Sequence, residues 1–325
     1  MRPDDWGAPS PASPPAVPDD VESRWKDCML RGDYEAAWRL SDAVLASRAP
    51  DDFNRPWTPY HTRCVWNGTP LPGRRVLVRC YHGLGDTLQF VRYAPVLRRL
   101  CPWVGVEAQE ELLPLLAGTP GIDALVPLGR ADDLPYEVDA ESMELPHALR
   151  TRRDAVPAEV PYLDPGAAEP ALPERAAGMP PRVGLVWAAG GWDPRRSLSL
   201  EALAPLLDMA GVEFHSLQQG PARDAQALPP ALRDSGTPEA ARTAATMRRL
   251  DLVVTVDTMA AHLAGGLGVP VFTLLHAGAD WRWEAAGEST PWYPTMRLFR
   301  QERPGDWSAP VARLARAAEA HLRLG

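Results

Sequence analysis

Asp86 follows two glycines in the run Gly83-Leu84-Gly85-Asp86-Thr87, where an apolar strand from Arg75 to Cys80 gives way to an amphipathic stretch from Thr87 to Leu100. Glycines at such a junction permit a sharp turn and close approach of a ligand, and Asp86 or Thr87 can cap the helix that follows. At the carboxyl edge of a parallel sheet Asp86 faces a crevice, where a positioned carboxylate can take a proton from an attacking hydroxyl. A capped strand-to-helix turn without chemistry is the competing reading. Leu88 stands where a dinucleotide fingerprint needs its third glycine, although Glu107 falls near the place of a ribose-binding acid. A nicotinamide-dependent oxidoreductase is therefore the minor alternative.

A second constellation runs from Leu250 to Gly268, with an apolar strand ending at Asp257-Thr258 and a small-residue helix beginning there. Free backbone N–H groups and the helix dipole at that end suit a diphosphate. Thr258 and His262, four residues apart, share a helix face; a capped helix with a satisfied core histidine is the alternative. A third, Trp187 to Ser197, is a glycine-bearing loop after a strand, and its Arg195 and Arg196 can neutralise a departing nucleoside diphosphate or remain solvated surface cations. Gln218, at another strand end, is placed to contact a nucleotide. The aromatic segment from Asp280-Trp281-Arg282-Trp283 to Gln301 suits a base or sugar ring, or packs a hinge between domains.

Two series of alternating strands and helices must position these residues. Strands are expected at 75–80, 104–108 and 124–128, then at 182–187, 212–217, 252–256 and 271–275, which is the pattern of two mainly parallel sheets. Residues 21–48 read as two short helices around Gly32-Asp33, like one degenerate tetratricopeptide-type hairpin without a second copy. Pro/Ala-rich runs at 3–18 and 157–181 suggest a flexible tail and a linker, and 309–324 has helical spacing.

A chain of 325 residues with 45% hydrophobic residues can bury two cores. Its net charge of -8 disfavours nucleic-acid partners. Cys28, Cys64, Cys80 and Cys101 lack metal-ligand spacing, and Asp132-Asp133 and Asp51-Asp52 read as loop acids, so neither a metal nor another cofactor is expected. No apolar run reaches spanning length and the amino terminus has no apolar leader core, which predicts a cytoplasmic protein.

Taken in order, HGLGDTLQFVRYAPVL, VGLVWAAGG with RRSLSL, LDLVVTVDTMAAHLAGGLGVPV, and DWRW with STPWYPTMRLFRQ resemble the heptosyltransferase-related (family 9 type) glycosyltransferases over residues 70–310. The likeness is greatest to a bacterial branch with tetratricopeptide repeats ahead of the catalytic part. It implies an α/β, GT-B fold: two Rossmann-like domains facing across a cleft, after a short helical hairpin. The boundaries expected are a disordered tail (1–20), hairpin and connector (21–68), acceptor domain (69–168), nucleotide-sugar domain (169–308), and a closing helix (309–325) that packs back on the first domain. The resemblance further implies inverting, metal-free transfer from a nucleotide-sugar to a glycan, lipid-linked or protein acceptor. Asp86 matches the family's base; Asp257, Thr258, Ala261 and His262 match donor contacts, and Arg196 a phosphate contact. Gly83, Gly85, Thr87 and Gln89 belong to the acceptor-side turn. Tyr81-His82 departs from the Glu-Gln common before the glycines, as does Ala240-Ala241-Arg242 from an acid expected before Thr-Ala-Ala. A catalytically silent binding or scaffold protein of the same fold is the rival class.

Overall fold

The computed structural model describes residues 20–324 apart from residues 54, 56, 60, 61 and 226. The tail expected at 1–20 therefore lies, save Asp20, outside the described residues.

Helices α1 (Val21–Leu30) and α2 (Tyr34–Ser47) pack on each other, and Asp33 caps α2 by accepting the Ala36 N–H at 3.1 Å. Their apolar residues Met29, Tyr34, Ala37 and Trp38 are buried in the same core as the first sheet. The Trp38 indole donates to the Thr151 carbonyl at 2.7 Å, so the hairpin is built into the first lobe.

That lobe runs β1 (Arg75–Arg79), α3 (Leu84–Phe90), α4 (Ala94–Leu100), β2 (Trp103–Ala108), α5 (Leu113–Leu116), β3 (Ala124–Pro127), β4 (Val138–Glu141) and α6 (Leu145–Ala148). Its strands lie parallel in the order β3-β2-β1-β4, with Val76 opposite both Val104 and Val138. The single amphipathic stretch expected over 87–100 is broken by a 3-10 turn at Val91–Tyr93. Pro95 is the physical reason, because it has no N–H for the preceding turn's carbonyl and starts a new helix instead.

The second lobe runs β5 (Arg182–Val186), α7 (Ala204–Leu207), β6 (Glu213–Ser216), α8 (Pro221–Asp224), β7 (Leu232–Asp234), α9 (Ala240–Met247), β8 (Leu252–Val256), α10 (Met259–Gly266), β9 (Val271–Leu275), β10 (Met296–Arg300) and α11 (Ser308–Leu324). Six parallel strands take the order β10-β9-β8-β5-β6-β7. Strands β5, β8 and β9 are buried along their whole length, as a sheet covered on both faces requires.

Two expectations are corrected. Helix α11 packs on α7, β9 and β10, with Val311, Leu314 and Ala318 in the second lobe's core, so it does not cross back to the first lobe. Its apolar stripe finds partners such as Phe272, which also meets the His321 ring at 5.8 Å. The Pro/Ala-rich linker is pinned rather than loose: Leu163 is 2% exposed, and the Tyr162 hydroxyl donates to the Leu88 carbonyl at 2.8 Å. Arg92 completes this seam, since its guanidinium donates to Tyr162 Oη at 2.8 Å and to the Trp292 carbonyl of the second lobe.

Candidate active site

Four segments leaving the carboxyl ends of strands line one cavity of about 310 Å³. They are the turn after β1 (Gly83 to Asp86), the loop after β5 (Gly190, Arg196), the β8–α10 turn (Asp257, Thr258, His262) and the segment after β9 (Asp280, Arg282). In each sheet the chain order reverses beside the first strand, at β1/β4 and at β5/β8, which is where open parallel sheets leave a crevice.

The two lobes meet through α3 and α10. Gly85 makes that approach possible: a Cβ there would stand 2.8 Å from His262 Cδ2 and 3.6 Å from the Met259 Cα. Within the second lobe Gly265 lets α10 sit against Tyr293, where a Cβ would fall 2.4 Å from the ring. The amino-terminal ends of both helices consequently open onto one space.

Asp86 divides its oxygens. Oδ2 accepts the Gly83 N–H at 2.9 Å, which is the capping role, while Oδ1 accepts from Arg282. Arg282 in turn donates to Gln89 Oε1 at 2.7 Å and Asp280 Oδ1 at 2.8 Å, and its guanidinium carbon lies 4.8 Å from the centre of the Trp281 ring. Burial alone would weaken the Arg282 charge, but Asp280 and Asp86 outweigh it and hold the proton above its usual strength. Gln89 is fully buried and positions Arg282 from behind; its Nε2 has no partner.

On the facing wall Thr258 has extended backbone and makes no side-chain cap, so the first amides of α10 are left uncapped by it. Arg196 donates from Nη1 to the Asp257 carbonyl at 3.2 Å, and its Nε is buried without a partner. Burial, helped by Asp280, pushes the Asp257 carboxyl from its usual value of 3.8 up to about 6. His262 accepts or donates through Nδ1 to Tyr293 Oη at 2.8 Å and stacks on Trp283 at 5.3 Å. Burial, then Arg282, Arg92 and Arg196, drives its basicity far below the ordinary value, so the imidazole is neutral.

Of the residues selected from sequence, the structure brings Gly83, Gly85, Asp86, Arg196, Asp257, Thr258 and His262 together. Thr87 lies behind the turn, donating to Gln109 Oε1 at 2.8 Å, and Ala261 is buried within α10. Gln218 does not face the cavity: its Oε1 accepts the Trp187 and Ala188 N–H groups at 3.0 and 2.9 Å, and its Nε2 donates to the Ala188 and Gln219 carbonyls. It is a strut for the loop that carries Arg196. Arg195 points away, paired with Asp193 at 2.8 Å and largely exposed. Glu107 is committed to Arg79 at 2.8 Å and the Gly129 N–H at 2.7 Å, which leaves it no free edge for a ribose.

Sequence reasoning missed Arg282 as a partner of Asp86, having grouped it with its aromatic neighbours. It also missed Glu141, a buried acid at the end of β4 whose signal was an acid closing a short strand. The departing pair Tyr81-His82 lies beside it, with His82 Nε2 3.7 Å from Glu141 Oε1. Among the described residues no group of three or more His, Cys, Asp or Glu is placed to hold a metal ion, and no helix is long and apolar enough to cross a membrane.

Comparison with solved structures supplies the architecture. A family 9 glycosyl transferase from Veillonella parvula superposes with a TM-score of 0.55 at 13% identity, over 79% of this chain and 99% of that one. E. coli ADP-heptose LPS heptosyltransferase II gives 0.51 at 15%, over 77% and 99%. The chain has the GT-B fold of these family 9 glycosyltransferases. TibC from enterotoxigenic E. coli, a dodecameric iron-containing heptosyltransferase solved with ADP-D-β-D-heptose, gives 0.51 at 14%, over 78% and 77%. Protein FlbA of Caulobacter vibrioides is 27% identical across 78% of this chain. The chain spans 47% of that curated relative's length. No family model matches the chain.

Proposed function

We propose that the chain is an inverting glycosyltransferase that moves a sugar from a nucleotide-sugar donor to a hydroxyl of a glycan, lipid-linked or protein acceptor. One observation carries this reading: Asp86 and the Arg196–Thr258 anion site line the same cavity from opposite lobes.

The acceptor oxygen attacks the anomeric carbon as the bond from that carbon to the diphosphate oxygen breaks. Its proton passes to Asp86, whose oxygens retain acceptor capacity beyond the Gly83 and Arg282 bonds. The electron pair leaves on the diphosphate, where the Arg196 guanidinium and the α10 amides receive the growing charge. A single displacement inverts the anomeric centre. Guanidinium and helix end fill the place that a divalent cation takes in metal-dependent transfer, so the reaction is read as metal-independent. The neutral His262 keeps the Gly85 contact tight without adding charge.

The test is Asp86→Asn. Asparagine keeps the shape and one of the two acceptor oxygens but cannot take a proton, so turnover falls at least about a hundredfold with nucleotide affinity nearly intact. Turnover near the parent level would reject the assignment.

A further inference from the structure

A second cavity, about 390 Å³, lies between the helical hairpin and the first lobe. Trp25, Trp38, Trp66 and Trp281 stand around it together with Glu141 and Glu144. Its size falls in the roughly 300–1,000 Å³ range of small-ligand sites. Three of the indole N–H groups are already used, by Ser41 Oγ at 3.0 Å, the Thr151 carbonyl at 2.7 Å and the Thr69 carbonyl at 2.8 Å. What these rings offer the cavity is apolar carbon.

The two acids carry little free charge. Glu144 accepts the Trp66 and Glu141 N–H groups, both at 3.2 Å, and its other oxygen is 3.7 Å from Arg48. Burial, with Glu144 and Asp86 nearby, pushes the Glu141 carboxyl up to about 8, so at neutral pH it holds a proton and can donate as well as accept. Of the three acids lining the space, Glu22 is exposed to solvent while Glu141, buried, and Glu144, half-buried, are committed as above, and the Arg282 guanidinium already lies over Trp281, so a cationic occupant is disfavoured. The matching ligand is neutral, with an apolar C–H face for the indoles and hydroxyls for the carboxyl edge.

The position of the cavity adds a purpose. Arg282 Nη2, which bonds Asp86, is also 3.8 Å from Met143 Sδ, and Met143, Trp281 and Glu141 line this second space. One layer of side chains therefore separates it from the proposed base.

We propose that the tryptophan-lined cavity is a subsite for a neutral sugar ring of the acceptor, roofed by α1 and α2. This rests on the glycosyltransferase reading and gives the hairpin a role in choosing an acceptor that is itself a glycan.

Saturation-transfer NMR on the full chain tests it, with methyl β-glucopyranoside, methyl α-mannopyranoside, methyl β-galactopyranoside and N-acetylglucosamine as probes, and tetramethylammonium as the cationic control. At least one sugar should bind. Val44→Trp, at a half-buried wall position, should fill the space and weaken that sugar at least about tenfold. ADP affinity should stay within about twofold, since the nucleotide site shares no residue with Val44. A melting temperature equal to the parent's will show that the variant is folded. No transfer from any of the sugars, unchanged sugar binding in Val44→Trp, or binding of tetramethylammonium instead would each overturn the subsite. Sugar binding without binding of ADP, GDP or UDP would leave the subsite standing and remove the transferase reading alone.

Discussion

Replacing Asp257 by asparagine should stabilise the protein at neutral pH while removing a group from its own cleft. The unfolded chain releases the Asp257 proton near 3.8, whereas the folded chain, which buries the carboxyl, holds it up to about 6. Ionisation therefore opposes folding: the penalty is absent below about pH 3.8, grows between the two values and is constant above about pH 6. At about 1.36 kcal/mol per unit it reaches about 3 kcal/mol at neutral pH and about half that near pH 5. The attraction of Arg196 and Arg282 is already contained in the value of about 6, so losing it adds no separate cost. An unfolding entropy of about 2.1 cal/mol/K per residue turns 3 kcal/mol into roughly 4 °C for a chain of 325 residues that unfolds as one unit. Scanning calorimetry of both proteins at about pH 7.5 and pH 5 measures this. An asparagine variant that melts lower at neutral pH, or that gains the same increment at both pH values, would refute the argument that burial of this acid strains the native state.

On the proposed reading, Arg196→Ala should weaken the nucleoside diphosphate that the parent binds by at least about tenfold, since it removes a charged donor whose Nε is buried and unpaired, yet leave the melting temperature nearly unchanged; calorimetric titration with ADP, GDP and UDP reads the first and a thermal scan the second. Gly85→Val should lower the urea midpoint by the equivalent of about 1–3 kcal/mol, because His262 is held by Tyr293 and Trp283 and cannot retreat from the added carbon; an unchanged midpoint contradicts the close α3–α10 contact. Binding of the same nucleoside diphosphate near pH 6.5 should take up a proton in wild type and not in Asp257→Asn, seen as a buffer-dependent binding enthalpy, because a second anion in the cleft raises an acid already shifted to about 6.

The strands readable from sequence were those that carry an apolar run, whether buried throughout or, like Ala-Leu-Val-Pro of β3, only half-buried. β5, β8 and β9 are continuous apolar runs, whereas β4 alternates Val-Asp-Ala-Glu and β7 is Leu-Arg-Asp on an edge, so neither has the pattern of a covered strand. Asp139 looks like a loop acid until Arg79 is placed 2.7 Å away on the neighbouring strand. β10 was hidden in an aromatic segment for the same reason, its pairing with β9 being visible only once the sheet is assembled. The Asp86 turn and the Thr258 helix end were legible because each is a local sequence of strand, turn and helix. Arg282 was not, since its partners Asp86 and Gln89 lie 196 and 193 residues away. The lobe chosen by α11 likewise depends on which distant surface offers a matching groove, which helical spacing does not encode.

On the proposed reading, a chain of net charge -8 receives a diphosphate because the cleft separates its charges by duty. Arg282 is committed to Asp86 and Asp280, so it holds the proposed base and adds little field elsewhere. Arg196 makes one bond, to a backbone carbonyl, and among the residues lining the cavity it is the cation left to answer an incoming anion. Asp257 stands at the same helix end and would repel that anion if it stayed ionised. Burial has already brought it to the edge of protonation, so a modest further push from the ligand withdraws the opposing charge. The anion site is thus strengthened by silencing an acid rather than by adding bases, and the stability lost to burying Asp257 is the counterpart of that arrangement.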